Sequence, residues 1–201
     1  MHITLTNTGK RFNREWIFRH CDYEFVSGKS YAITGSNGSG KSTLLQVIAG
    51  ALMHNEGSVN YSDSSEINVH HHISIAAPYL ELIEEMTAKE MLEFHAQFKP
   101  LTLPVEKILE AVGLANAANK QLRNFSSGMK QRLKLAQAFF SDTPVLLLDE
   151  PTTNLDAEGI DLYLQLIKDH TKGRLVIVSS NDKQEYAFCE EIIAIGNYKS
   201  A

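Results

Sequence analysis

The sequence predicts an α/β fold with a mostly parallel core sheet, and three observations carry that expectation. Val145-Leu146-Leu147-Leu148 is a continuous apolar run closed by Asp149-Glu150, the pattern of a strand covered on both faces in a parallel sheet. Ser30–Thr34 is a short apolar segment stopped by Gly35 and followed by an apolar-faced helix, Thr43–Ala49. Strand–helix–strand order recurs at the end of the chain, while the stretch from about Tyr79 to Phe140, helical in pattern from Thr87, reads as an insertion into the core.

The elements follow in order. Ile3–Leu5 and Trp16–Phe25 read as strands, then Ser30–Thr34, Ser58–Tyr61 and Ile73–Ala76. Thr87-Ala88-Lys89-Glu90 is a capping box that opens a helix carrying Met91, Leu92, Phe94 and Phe98. Pro104 starts a second helix with Val105, Ile108, Leu109 and Val112 at helical spacing, and Gly113 fits its C′ position. Ser126 caps a third, running through Leu133, Ala136 and Phe140 to Pro144. A helix with Ile160, Tyr163, Leu164 and Ile167 follows the Asp-Glu strand, then strands Leu175–Val178 and Ile192–Ile195. His70-His71-His72 reads as part of a strand or strand edge, where alternation splays the three rings to opposite faces, poor geometry for a metal.

Composition narrows the function classes. The 201 residues suffice for one domain, and a net charge of −5 gives no footing to a polyanion-binding surface, so no nucleic-acid partner is expected. Cys21 and Cys189 are the only cysteines and lie far apart, which fits a reduced, cytoplasmic setting. The N-terminus lacks an apolar signal core, and no apolar run reaches the ~18 residues of a membrane span. Direct membrane insertion is not expected, so work at a membrane requires another chain to supply the spanning part.

Gly35-Ser36-Asn37-Gly38-Ser39-Gly40-Lys41-Ser42 matches G-x-x-x-x-G-K-[ST] between a strand and a helix. Phosphates need many donors at short range. Glycines let backbone N–H groups turn inward, and the start of the helix, with Thr43 in its first turn, adds positive potential. Lys41 reaches the β- and γ-phosphates and the Ser42 hydroxyl ligates Mg²⁺. Asp149, at the end of a buried strand, is placed to hold Mg²⁺ through water, and Glu150 to act as general base on the attacking water. Two acids at a strand end are commonly solvated turn residues; the phosphate loop upstream is what favours the catalytic reading.

Two further segments make the pattern specific. Phe125-Ser126-Ser127-Gly128-Met129-Lys130-Gln131-Arg132 resembles the signature motif of the ATP-binding cassette (ABC) family, and Pro151-Thr152-Thr153-Asn154-Leu155-Asp156 resembles its D-loop. The resemblance spans essentially the whole chain. It implies a P-loop NTPase of ABC type with an N-terminal antiparallel β subdomain, a nucleotide-binding core over residues 1–78 and 141–201, and a helical subdomain over 79–140. It implies that Ser126 and Gly128 at a helix start, with Asp156 of the D-loop, meet ATP held by the other protomer, so that a homodimer or paired cassette closes head to tail around ATP. It implies a separate transmembrane permease and a place on the cytoplasmic face of the membrane. The family stacks an aromatic residue on adenine; Phe12 stands at the matching position, with Trp16 as the alternative.

The pattern departs from the family twice. Where a glutamine is expected after Ile73–Ala76, the chain has Pro78, which offers no side-chain donor. Where a switch histidine is expected after Leu175–Val178, the chain has Asn181, which can hold a γ-phosphate but cannot shuttle a proton. ATP binding is expected intact and turnover slow. Three readings stand: the ATPase subunit of a transporter, a cassette acting on ribosomes or DNA, and a module that uses ATP only to dimerise. Tandem or coiled-coil-split architecture is missing for the second, and Glu150 speaks against the third. The signature resembles exporter-type cassettes. Leu80, Leu82, Ile83 and Met86, near Pro78–Thr87, supply either a docking groove for the permease or packing inside the helical subdomain.

Overall fold

A computed structural model describes residues 1–62 and 68–199. Its strands are β1 (Ile3–Phe12), β2 (Glu15–Phe25), β3 (Ser30–Thr34), β4 (Glu56–Tyr61), β5 (Ile73–Ala76), β6 (Val145–Asp149), β7 (Leu175–Ser179) and β8 (Glu191–Ala194). Its helices are α1 (Lys41–Ile48), α2 (Ala88–Ala96), α3 (Val105–Ala111), α4 (Ser127–Phe140), α5 (Ala157–His170) and α6 (Lys183–Tyr186). Five strands form an all-parallel sheet in the order β5-β6-β7-β3-β8, and β2-β1-β4 form a separate antiparallel sheet.

Strand alternation sorts the parallel sheet into two cores. Val145, Leu147, Leu175 and Ile177 pack toward α1 and the antiparallel sheet, against Leu44, Ile48, Phe18 and Phe25. Leu146, Leu148, Val176 and Val178 face the other way, into one cluster with Leu133, Ala136 and Phe140 of α4, Tyr163 of α5, and Met91 and Ile108 of α2 and α3. Both faces of β6 and β7 are therefore buried, which is why their sequences read as unbroken apolar runs. The helical insertion shares its core with the sheet through α4.

Arg174 locks these layers at one end. Its guanidinium donates to Phe139 O at 2.9 Å, Ser74 Oγ at 2.8 Å and Thr143 Oγ1 at 2.9 Å. Burial lowers its pKa to about 10, so it remains a cation at neutral pH, suited to the open carbonyls at the end of α4.

Three expectations change in detail. β1 runs on to Phe12 instead of stopping at Leu5, because bulges after Leu5 and Thr8, with Asn7 at φ 48°, break the alternation that marks a strand. Val69–His71 is a 3₁₀ turn, not a strand, so the rings of His70 and His71 lie 4.1 Å apart rather than on opposite faces. Phe94 and Phe98 belong to no buried stripe: α2 turns Ala88, Met91 and Leu92 inward, and the two phenylalanines stay exposed with their rings 5.1 Å apart. The capping box at Thr87, the Pro104 start and the Ser126 cap all form.

Candidate functional site

The Gly35–Gly40 loop lies at the carboxyl ends of the parallel strands, between β3 and α1. Two glycines in it are obligatory. Gly40 has φ 104°, and a Cβ there would fall 2.3 Å from Ile17 Cγ2. Gly35 has φ 150°, and its Cβ would meet Ile195 Cγ2 at 2.7 Å. Ile17 on β2 and Ile195 just after β8 thus press the loop from two sides. Among the described residues no side chain caps the start of α1, whose first N–H groups face the loop as donors suited to an anion. Lys41 is buried, and its Nζ donates to Gly35 O at 2.8 Å and Ser36 O at 3.4 Å, a fixed cation folded under the loop.

Asp149 ends β6 beside Ser179 of β7, its partner in register. It is 1% exposed, and among the described residues its Oδ1 has no hydrogen-bond partner; Ser179 Oγ and Ser39 Oγ are likewise buried and unpartnered there. A buried carboxylate oxygen without a donor is costly, and a cation is what such an atom accepts. The donors fit Mg²⁺, which takes one or two protein oxygens plus phosphates and water; no cluster of three or more acidic, histidine or cysteine ligands exists among the described residues. Glu150 follows in a left-handed backbone, φ 42°, held by its N–H to Ser179 O at 2.9 Å. Such strain in a non-glycine residue needs a surrounding that enforces it.

Asn181 comes to the same place. Its Oδ1 accepts the Gly35 N–H at 3.2 Å, and its Nδ2 donates to Asn37 Oδ1 at 2.9 Å. Pro78 follows β5, and the carbonyls of Ala77 and Pro78 accept from Lys134 Nζ of α4 at 3.4 and 2.8 Å. Burial lowers the Lys134 pKa. The adjacent Tyr79 hydroxyl is raised by burial, lowered by a hydrogen bond from Gln46 and raised by the charge of Asp149.

The signature segment forms a second cluster. Ser126 Oγ accepts the Met129 N–H at 3.2 Å as the cap of α4. Ser126, Gly128, Asn154 and Asp156 line one open cavity with Lys120 and Arg132, and none of the phosphate-loop residues lines it. The Asp156 carboxylate caps α5, accepting the Gly159 N–H at 2.8 Å, and pairs with Arg132 at 3.2 Å; both lower its pKa, the cap first.

Phe12 ends β1 with 47% of its surface exposed. Trp16 is half-buried against Gly9, with the guanidinium of Arg19 4.5 Å from its ring. Of the two aromatics Phe12 is the more exposed, with Lys10 Nζ 5.1 Å from its ring centroid. Leu82 and Met86 pack on the helical core, Ile83 is exposed, and Leu80 lines a groove with Gln46, Ile75 and Tyr79. Ile17, Ile195 and the buried acid Glu185 carry no local mark of these contacts: an apolar strand residue reads the same whether it packs on a core or a loop, and an acid in a short helix reads as surface.

Comparison with known proteins agrees with this geometry. Residues 18–153 match the family model described as ABC transporter. The cytochrome c biogenesis ATP-binding export protein CcmA of Rhizobium etli is 34% identical over 191 residues, covering 90% of this chain and 88% of that protein. The ABC transporter ATP-binding protein YybJ of Bacillus subtilis is 29% identical, covering 91% and 87%. Among solved structures, an ABC transporter ATP-binding protein of Pyrococcus furiosus superposes over 100% of both chains with a TM-score of 0.84 at 18% identity. The dimeric bacterial ABC transporter cassette MJ0796 gives 0.81 at 25% identity, over 96% of this chain and 95% of that one. No helix among the described residues is long and apolar enough to cross a membrane. The chain belongs to the ABC transporter family, as one of its ATP-binding, ATP-hydrolysing cassettes.

Proposed function

We propose that two copies of this chain, or this chain and a paired cassette, close head to tail around Mg-ATP and drive a separate permease from the cytoplasmic face of the membrane. The observation that carries the reading is the division of the site. Gly35–Ser42, Asp149, Glu150 and Asn181 gather at the ends of β3, β6 and β7, whereas Ser126 and Gly128 open into a different cavity of the same chain. A site divided in this way is completed by a second molecule. The name of the CcmA relative, an export protein, supports export as the direction.

In this reading Lys41 and the N–H groups of the loop hold the β- and γ-phosphates, and Phe12 stacks on adenine. Ser42 and Asp149 hold Mg²⁺, which neutralises charge on the phosphates. Glu150 takes the proton of the attacking water. Asn181 fixes the loop and cannot carry a proton, and Pro78 brings no amide to the water. Both favour slow turnover, and with it a second reading in which the chain serves chiefly as an ATP-driven dimer switch. Glu150→Gln leaves binding intact and removes the base. Light scattering on this variant is expected to give a monomer alone and a dimer with Mg-ATP. A mass that ignores ATP rules out the closed pair of identical copies, and wild-type turnover of ATP separates the transporter reading from the switch.

A further inference from the structure

Glu185 is a carboxylate in the protein interior, 3% exposed, with no ion pair to it among the described residues. It sits in α6, which begins two residues after Asn181 and is capped by Asp182, whose Oδ1 accepts the Gln184 N–H at 2.9 Å. One oxygen, Oε1, accepts both donors of Thr152: the backbone N–H at 2.7 Å and the hydroxyl. From behind, the Tyr163 hydroxyl of α5 donates to the Glu185 carbonyl at 2.6 Å.

Thr152 lies two residues after Glu150, in a segment tied down along its length. The carbonyl of Pro151 accepts from the buried Gln131 Nε2 of α4 at 2.8 Å. Thr153 N–H donates back to Glu150 O at 3.1 Å, and Leu155 N–H to Thr152 O at 3.0 Å. The turn then brings Asn154, φ 67°, so close to the signature that a Cβ on Gly128 would lie 3.0 Å from Asn154 O. Glu185 therefore stands between the loop that grips Gly35 and the turn that carries Glu150 and rests on Gly128.

Burying a carboxylate with no cation is unfavourable, and charge-assisted hydrogen bonds must offset it. A solvated turn would need no such group. We propose that Glu185 is a positioning residue: through Thr152 it holds Glu150 in its left-handed backbone and makes the phosphate loop, the Glu150 turn and the signature move as one unit. It touches neither nucleotide nor the reacting atoms. The inference rests on the reading of Glu150 as the base.

The test uses Thr152→Val, which removes the hydroxyl and keeps the shape, Thr152→Ser, which restores it, and Glu185→Ala, in the full chain. For Thr152→Val the expected result is a kcat lower by about tenfold, the order for one charge-assisted hydrogen bond, with KM for ATP within about twofold. Thr152→Ser is expected to recover most of the loss, and Glu185→Ala to fall further than Thr152→Val. A second readout needs no catalysis. Amide hydrogen exchange without nucleotide is expected to rise both in residues 150–156 and in 35–40 for Thr152→Val, but not for Thr152→Ser. Wild-type exchange at 35–40 in Thr152→Val overturns the linkage, even where Glu185→Ala fails to fold. Equal kcat for Val, Ser and wild type overturns the positioning role. Failure of the wild-type chain to hydrolyse ATP strikes the reading of Glu150, and exchange then decides the linkage alone.

Discussion

The backbone N–H of Gly35 donates to the side-chain oxygen of Asn181 at 3.2 Å, which ties the first residue of the phosphate loop to the segment following β7. The side-chain nitrogen of Asn181 donates to Asn37 Oδ1 at 2.9 Å, so one exposed side chain spans the loop. A position expected to act on the γ-phosphate is already engaged with the loop that would bind it.

Asn181→Ala is expected to lower turnover about five- to tenfold and leave ATP affinity within about threefold, since two partly solvated hydrogen bonds are lost and no phosphate donor of the loop is removed. Asn181→His is expected to match or exceed wild type. A carboxamide does not titrate, so the wild-type pH profile should carry no step near ~6.5 from this position, while the histidine variant should show one. Steady-state kinetics across that range decides it, and wild-type turnover in Asn181→Ala removes Asn181 from the mechanism.

Gly40→Ala is expected to destabilise the loop by about 2 kcal/mol or more, from a positive φ and from contact with Ile17. Adding Ile17→Ala relieves the contact and leaves the backbone penalty. The double variant should therefore regain part of the urea midpoint and little of the ATP affinity. If Gly40→Ala unfolds and binds like wild type, Ile17 does not press the loop as the geometry has it.

Phe12→Ala is expected to weaken ATP and ADP alike, by roughly 1–3 kcal/mol, since both carry the same base. Titration of a fluorescent analogue of each nucleotide reads this. A silent Phe12→Ala beside a damaging Trp16→Ala would reverse the assignment, against the packing of Trp16 on Arg19.

His95 gives the fold an acid limit. Burial, and then the charge of Lys99, lower its pKa to about 4, and its Nε2 lies 2.8 Å from Ser141 Oγ. In the unfolded chain the ring titrates near ~6.5. The folded ring is therefore neutral where the unfolded one takes a proton, so its contribution is complete above ~6.5 and is lost as pH falls toward about 4. His95→Gln is expected to flatten the decline of the urea midpoint between about pH 7 and 5. An identical decline in both proteins assigns the acid sensitivity elsewhere.

What the sequence made legible were features with a local cause. The runs Val145–Leu148 of β6 and Leu175–Val178 of β7 announce themselves because both faces are buried and no polar residue interrupts them, and the caps at Thr87 and Ser126 are set within three residues. The turn at Gly35–Gly40 and the acid that closes β6 stand out because a left-handed turn demands glycine and a charge after an apolar run is easily seen. The bulges of β1 destroy period two and hide its full length, and the exposed rings of Phe94 and Phe98 imitate a core stripe on α2. Glu185 was invisible for another reason: its partner lies 33 residues away, and only the fold brings them together.

The strand order has a consequence for how the protein comes into being. β3, which launches the phosphate loop, is bordered by β7 and β8, strands that begin only at Leu175 and Glu191. Asn181 and Ile195, which grip and press that loop, are likewise made after most of the chain. A ribosome therefore releases the glycine-rich segment long before anything exists to hold it, and the pairing that completes the sheet's centre joins residues remote in sequence. A nucleotide that binds only the assembled loop would add its stabilisation once the segments carrying Asn181 and Ile195 are in place.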